Sequence, residues 1–420
     1  MKIILLSMNF APELTGIGKY SGEMADELVR RGHEVVVVCA PPYYPKWDLS
    51  AGYSNQAYTR EQPKPGLTVL RCPVWLPKRL SGLSRLVHLA SFAISSFPVL
   101  MRLAMAKPAL VFVVAPALFS APAGWLTARL AGATAWLHVQ DFEMDAAFEL
   151  GILKGAFVRR LVREGERRLM CAFDRVSTIS RRMLRQLDAK GVSVEHRELL
   201  PNWVDLDQVT PGDRSPALRR MLSIGEHQKV CLFSGTLNRK QGLGAVIDAA
   251  RLVAAHRDIV FVICGNGEFR QTLEDASRDL ANVRFLDLQP LARLNELLNM
   301  ADIHLLPQLR GAADLVMPSK LGGMLASGRP VIAAAATGTE IANVVEGCGL
   351  VTEPECARGI ADAILELAND EGRRRLLGVA ARDYAQRNFG TTAVFERLDM
   401  SLARARPASQ PASLPIATAR

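Results

Sequence analysis

Short apolar runs recur along the whole chain with helical segments between them, and this alternation constrains the fold more than any other feature. The first cycle shows its form. Ile3 to Leu6 is apolar throughout, a loop with Pro12 and Gly16 follows, and Tyr20, Met24 and Leu28 then fall at helical spacing. Gly32 ends that helix and Val35 to Val38 makes the next run. Runs that are apolar at every position belong to strands buried on both faces, as in a parallel sheet covered by helices. Further runs stand at Leu67 to Arg71, Leu110 to Val114, Thr134 to Val139 and Val176 to Ile179. The rhythm restarts at Val230 to Phe233, Ile259 to Cys264, Val283 to Leu286, Asp302 to Leu306 and Pro330 to Ala334. A chain of 420 residues exceeds what one hydrophobic core serves, so the expected architecture is α/β with two Rossmann-like domains.

Between the two halves, Pro201 to Pro216 carries three prolines, several Asp and little periodicity, which reads as an interdomain connection. The expected domains are therefore 1–205 and 206–385. A last amphipathic stretch, 386–405, is expected to return as a helix to the first domain. Residues 406–420, rich in Pro, Ala and Ser, read as a disordered tail.

Lys and Arg total 51 against 42 Asp and Glu, and the resulting net charge of +9 calls for an anionic partner. Nucleic acid, anionic lipid and nucleotide diphosphate all qualify. The seven cysteines are scattered without a C-x-x-C pair or a His cluster, which argues against a zinc site and for reduced thiols in cytosol. The start lacks the apolar core of a signal peptide, so the protein is expected to stay inside the cell. Pro108 to Ala128 is free of charge and near the length of a membrane span. Pro116 and Pro122 interrupt it, and a buried strand followed by a small-residue helix explains it better.

Two loops carry candidate chemistry. NFAPELTGIGKYSG places Gly16 and Gly18 at the mouth of the first helix, where exposed N–H groups and the helix dipole attract phosphate. A nicotinamide fingerprint is disfavoured, because Asn9 to Thr15 is too long for its tight turn and Cys39-Ala40 stands where a ribose-binding acid belongs. FSGTLNRKQGL opens the second half and puts Gly235, Asn238, Arg239, Lys240 and Gly242 between a strand and a helix. Cations there can neutralise a departing diphosphate, although a solvated loop would look the same. His138 and Asp141 stand at and just past the carboxyl end of the strand Thr134 to Val139, where α/β sheets bind ligands. A His so placed is as often a packed side chain as a catalytic one.

Basic groups also cluster at Arg159, Arg160, Arg163, Arg167 and Arg168, and the segment Leu80 to Met105 joins Arg79, Arg85 and Arg102 to a broad apolar face. Such runs are either solvated helix faces or surfaces that dock on an anionic membrane leaflet.

The chain resembles the retaining glycosyltransferases of family 4, which have the two-domain GT-B fold. The resemblance covers nearly the whole length. It rests on PELTGIGKY followed by ELVRRGHEVVVV, on PNWVD at 201 to 205, GTLNRKQGL, CGNGE at 264 to 268, ADIHLLPQ at 301 to 308 and PSKLGGMLASGRPVIA at 318 to 333. WLHVQDFEMDAAFELGILK at 136 to 154 is closest to the exopolysaccharide subgroup that includes the colanic acid enzymes.

The resemblance implies two Rossmann-like domains facing across a cleft and a sugar moved from a nucleotide-sugar donor to a polyprenyl-diphosphate-linked saccharide. It implies work at the inner face of the cytoplasmic membrane, with the departing phosphate taking the acceptor proton and no metal cofactor. Gly16 and Gly18 would approach the donor phosphates, and Lys240 matches the family's diphosphate-binding lysine, with His138 near the sugar. Thr236 stands where the usual arginine does, and Arg239 is the candidate to compensate for it. The family's ribose-binding glutamate is replaced by Gly323, and its earlier partner by Leu315 beside Asp314. The donor pocket is therefore expected to use Gly265, the backbone from Pro318 to Leu321 and the side chains of Ser319 and Lys320.

Two rivals remain at this level. A nucleotide-sugar epimerase on the same architecture would change the donor without an acceptor. A nucleic-acid-binding protein is suggested by charge alone, without a binding motif or aromatics interleaved among the basic runs.

Overall fold

The computed structural model describes residues 1–14, 16–79, 81–115, 119–142, 156–310 and 318–405, without the side chains of residues 156–159, 240 and 405. Asp314, Leu315, most of the 136 to 154 motif beyond Phe142 and the 406–420 tail lie outside them. Two compact units result, one of Met1–Leu200 with the segment from Arg397 on, the other of Pro201–Glu396.

The first unit holds β1 (Lys2–Ser7), β2 (Glu34–Cys39), β3 (Thr59–Lys64), β4 (Leu67–Arg71), β5 (Leu110–Ala115), β6 (Thr134–Val139), β7 (Arg175–Thr178) and β8 (Arg197–Leu199). They form one sheet in the order β3-β4-β2-β1-β5-β6-β7-β8. Neighbours are parallel except the β3–β4 pair. The helices that matter below are α1 (Gly16–Arg30), α2 (Gly82–Ala104), α3 (Ala121–Ala131) and α4 (Ala156–Ala172). Ser81 starts α2 with a capping box, its side chain accepting from the Ser84 N–H while Ser84 Oγ accepts from the Ser81 N–H. The uncharged stretch from Pro108 holds β5, buried at every position, and then α3.

The second unit is a sheet of six parallel strands, β9 (Lys229–Ser234), β10 (Ile259–Cys264), β11 (Val283–Leu286), β12 (Ile303–Pro307), β13 (Val331–Ala334) and β14 (Gly349–Thr352), in the order β11-β10-β9-β12-β13-β14. With it go α5 (Leu243–Leu252), α6 (Lys320–Ala326), α7 (Glu371–Asn388) and α8 (Thr391–Ala405), the last of which runs into the first unit's segment at Arg397. β10 is buried along its whole length, and full burial of a Val, Ile or Phe is worth about 1.5–3 kcal/mol. That is why the all-apolar runs, rather than alternating ones, became the central strands.

The units divide after Leu200, not after residue 205, because the connector pairs with the end of α7. The Val204 N–H donates to the Phe389 carbonyl at 2.8 Å, and the Thr391 N–H donates to the Val204 carbonyl at 3.2 Å. Trp203 meets Phe395 edge to face at 4.8 Å, which gives PNWVD a packing role. In each sheet the strand order reverses beside its first strand, between β1 and β5 and between β9 and β12. Ligands of open α/β sheets bind outside the carboxyl ends of strands at such points.

Candidate functional site

Two loops meet at the reversal point of the second sheet. The chain leaves β9 at Gly235, whose N–H donates to the Cys264 carbonyl at 3.0 Å, while the Gly265 N–H donates to the Leu286 carbonyl at 2.9 Å. The Leu237 N–H bonds the Asn266 carbonyl and the Phe269 N–H bonds the Leu237 carbonyl, so the loops after β9 and β10 are laced together. Their approach leaves no room for side chains. A Cβ on Gly265 would stand 1.8 Å from the Gly235 carbonyl oxygen, and one on Gly267 would stand 2.1 Å from that of Leu237. Gly242, at φ +68°, ends the turn Arg239–Gln241, and a Cβ added to it would stand 3.0 Å from the carbonyl carbon of Gln308, the residue after β12. The loop therefore lies over the carboxyl ends of both central strands.

Lys320, the first residue of α6, enters this region. Its ammonium sits 4.0 Å from the centre of the Phe233 ring and donates to Gln241 Oε1 at 2.8 Å. It would lie 3.6 Å from a Cβ on Gly235. Lys320 is half-buried, and desolvation brings its pKa from 10.5 down to about 7. Pro318 accepts the Leu321 N–H at 3.1 Å, Leu321 is buried, and Ser319 is exposed. The Oδ1 of Asn238 is buried without a hydrogen-bond partner among the described residues, and so is the Oε1 of Gln308. Arg239 is exposed, its guanidinium 5.7 Å from the Phe269 ring centre. Lys240 lies in the turn by its backbone. Gly323 lies within α6, where a Cβ would meet only Leu298 at 3.4 Å.

The first unit has a cavity of about 340 Å³ at its own reversal point, lined by Asn9, Gly16, Gly18, Trp47, Arg85 and Asp141 among others. Glu13 is buried and braces residues that line it. One carboxylate oxygen accepts from the N–H groups of Tyr43 and Tyr44 at 3.0 and 2.9 Å, the other from Asn9 Nδ2 at 3.0 Å. A Cβ on Gly18 would stand 2.6 Å from Glu13, so the second glycine of the G-x-G pair is fixed by this buried acid. Gly16 needs its glycine for a different reason, φ +56°. Tyr43, Trp47 and His88 stack edge to face or tilted at 4.9 to 5.6 Å. His88 bonds the Trp75 carbonyl through Nδ1 and the Tyr43 hydroxyl through Nε2. Burial raises the Asp141 pKa above the usual carboxylate range, against the opposing Phe142 N–H.

His138 and Asp141 part company here. Asp141 lines the cavity, whereas His138 is buried within β6 beside Phe112. Ser177 Oγ takes the Trp136 Nε1–H at 2.8 Å and so gives its own proton to His138 Nδ1 at 2.8 Å. His138 Nε2 is buried without a partner among the described residues, and burial lowers the pKa to about 3. The imidazole is neutral at ordinary pH. Sequence reasoning also passed over Glu13 and the Lys320–Gln241 contact, although both lie in quoted motifs.

A second cavity in the second unit, about 1020 Å³, opens beside Lys229, Asp302 and Pro330, at the amino ends of β9, β12 and β13. Three of its arginines serve the fold. Arg219 donates to the Gly225 and Gln228 carbonyls, Arg329 to those of Ala301 and Gly212, and Arg382 to those of Val209 and Ala326. The carboxyl-end loops, with bare backbone and a cation that has no carboxylate partner among the described residues, are the better place for an anionic ligand.

Comparison with known proteins agrees with the α/β fold of the two units. Residues 15–203 match the family described as glycosyl transferase 4-like domain, and residues 228–370 match glycosyl transferases group 1. The chain is 41% identical over 404 residues to the putative colanic acid biosynthesis glycosyl transferase WcaI of Escherichia coli strain K12, covering 93% of this chain and 96% of that protein. Among solved structures, sucrose-phosphate synthase from Thermosynechococcus elongatus superposes with a TM-score of 0.73 at 17% identity, covering 96% of this chain and 100% of that one. Anabaena HepE in complex with UDP and glucose does so with a TM-score of 0.65 at 15% identity, again covering 96% and 100%. Both likenesses concern the GT-B fold.

Proposed function

The chain belongs to the glycosyl transferases of the 4-like and group 1 families, and from that premise we propose that it moves a sugar, with retention, from a nucleotide-sugar donor to a lipid-linked saccharide of exopolysaccharide assembly. The observation that carries this reading is the pair of laced glycine loops over β9 and β12 with the Lys320 ammonium beside them. Gly235, Asn238, Arg239, Lys240, Gly265 and the segment Pro318 to Leu321 form the donor site. Bare backbone admits a nucleotide's diphosphate closely, and Lys240 counters the charge that builds on it as the sugar departs. Gly16 and Gly18 keep the role the resemblance gives them, toward the donor phosphates, and Asp141 serves the first unit's site.

Retention follows if the departing phosphate itself removes the acceptor's proton, so no dedicated carboxylate pair is required. Transfer proceeds without a divalent cation. The likeness to the colanic acid protein of Escherichia coli supports a colanic-acid-type saccharide as the class of acceptor.

The working place is the cytoplasmic face of an anionic membrane. α2 supports this: it is long and apolar enough to span a bilayer, yet His88, Phe92, Ser96, Leu100 and Ala104 pack inward at a spacing of four. Its outer face exposes Leu83, Val87, Ile94 and Phe97, a stripe suited to lie in the interface, while Arg85 on the same helix lines the cavity.

A thermal-shift panel of nucleotide sugars tests the donor half of the proposal. A donor held at about 100 times its Kd stabilises the fold by ~2.7 kcal/mol, and one nucleotide class should do so selectively. A panel without any shift contradicts it.

A further inference from the structure

We infer that Lys320 is the cation that receives the donor's phosphate groups in the second unit, an assignment that rests on the nucleotide-sugar reading above. Three features of its surroundings converge. First, the ammonium has no carboxylate partner among the described residues; its neighbours are the Phe233 ring at 4.0 Å and Gln241 Oε1 at 2.8 Å. Buried or half-buried cations are ordinarily paired, and the chain does so elsewhere, as with Lys190 and Glu166 at 2.6 Å. Second, it faces Gly235, whose missing side chain leaves open backbone 3.6 Å from the ammonium at the Cβ position. Third, it meets the carboxyl end of β9 at Phe233 and Gly235, beside the point where the strand order reverses.

An isolated cation in this position costs stability, and its retention marks a place completed by a ligand's negative charge. A diphosphate supplies that charge in a form that accepts hydrogen bonds from the ammonium directly. The sequence resemblance assigns the diphosphate lysine to position 240, in the loop; the structure adds a second amine, from the motif PSKL, that reaches the same loop through Gln241.

The assignment has a protonation consequence. Among the described residues, the groups that touch the ammonium, Phe233, Gly235 and Gln241, do not titrate, so desolvation alone sets its pKa, near 7. A bound diphosphate favours the charged form, and binding above neutral pH must draw a proton from solvent.

Titration calorimetry with UDP and GDP, and with uridine and guanosine as controls, tests this on the full-length protein and on Lys320→Met and Lys320→Gln. In the wild type a diphosphate binds more tightly than its nucleoside, and buffers of different ionisation enthalpy reveal proton uptake at pH 8. In the neutral variants the diphosphate advantage falls about tenfold or more, the proton uptake disappears, and the melting midpoint stays level or rises. A merely structural lysine would show the reverse, a lower midpoint with diphosphate binding intact. The assignment is overturned if whichever variant folds keeps the diphosphate preference and the proton uptake. If the wild type binds neither diphosphate, the nucleotide-sugar reading fails first and this assignment with it.

Discussion

Gly265→Ala is the sharpest perturbation of the second unit's site. The substitution asks an L-residue to hold φ +148°, which costs of order 1–3 kcal/mol. It also places a methyl group 1.8 Å from the Gly235 carbonyl oxygen. That oxygen belongs to backbone laced on both sides, by the Gly235 N–H to Cys264 and the Leu237 N–H to Asn266, so it cannot rotate away as a side chain would. Overpacking of this kind adds about 1–3 kcal/mol, for a total of about 2–6 kcal/mol, against a typical domain stability of about 5–15 kcal/mol. Urea denaturation compared with Gly244→Ala provides the scale. Gly244 lies in α5 with nothing within 4 Å of its added Cβ, and alanine there should stabilise by roughly 0.5–1 kcal/mol. Hydrogen exchange should locate the loss of Gly265→Ala in β9 and β10. If that variant unfolds within about 0.5 kcal/mol of the wild type, the laced loops are not a constrained element, and the donor-site geometry built on them is wrong.

Other consequences can be measured independently. His138 and His304 are both buried with pKa values near 3, so between pH 3 and 6.5 the unfolded chain binds more protons and stability falls on acidification. Each should cost ~1.4 kcal/mol by pH 5.5, partly offset by Glu13 and Asp141, whose pKa values are raised; the midpoint should fall less in His138→Phe, and an identical fall would remove His138 from the explanation. Lys240→Ala should lower turnover by about 10²- to 10³-fold with folding intact, and undiminished turnover would place the loop's catalytic charge elsewhere. Leu83→Ser with Ile94→Ser should weaken flotation with anionic liposomes, and binding indifferent to both salt and substitution would refute docking through α2. Activity should survive EDTA; loss restored by Mg²⁺ or Mn²⁺ would establish a metal requirement.

The central strands were legible because burial on both faces writes an uninterrupted apolar run. β3 was not: Thr59–Lys64 is polar, includes Pro63 and forms an antiparallel edge, so no apolar signal marks it. The edge strands β8 and β14 are short and only partly buried, and they escaped for the same reason. Among site residues, the glycines could be read as bare backbone, but their partners could not. Nothing in GTLNRKQGL says that Gly235 must clear Gly265, a contact made between loops about thirty positions apart in the sequence. His138 could be read as packed or as catalytic, because its sequence neighbours do not disclose Ser177, which comes from the adjacent strand. The resemblance already put Lys320 in the donor pocket, but only the fold sets it against Phe233 with no carboxylate partner among the described residues.

The central claim is sugar transfer to an acceptor, and a transfer assay tests it most directly. The purified protein is given radiolabelled nucleotide sugars, with and without membranes carrying polyprenyl-diphosphate saccharide. The account predicts that label enters the lipid-linked fraction from one donor class, with free nucleoside diphosphate released in equal amount and the donor's anomeric configuration kept in the product. Conversion of the donor to an epimer without acceptor, with no label in the lipid fraction, would contradict it.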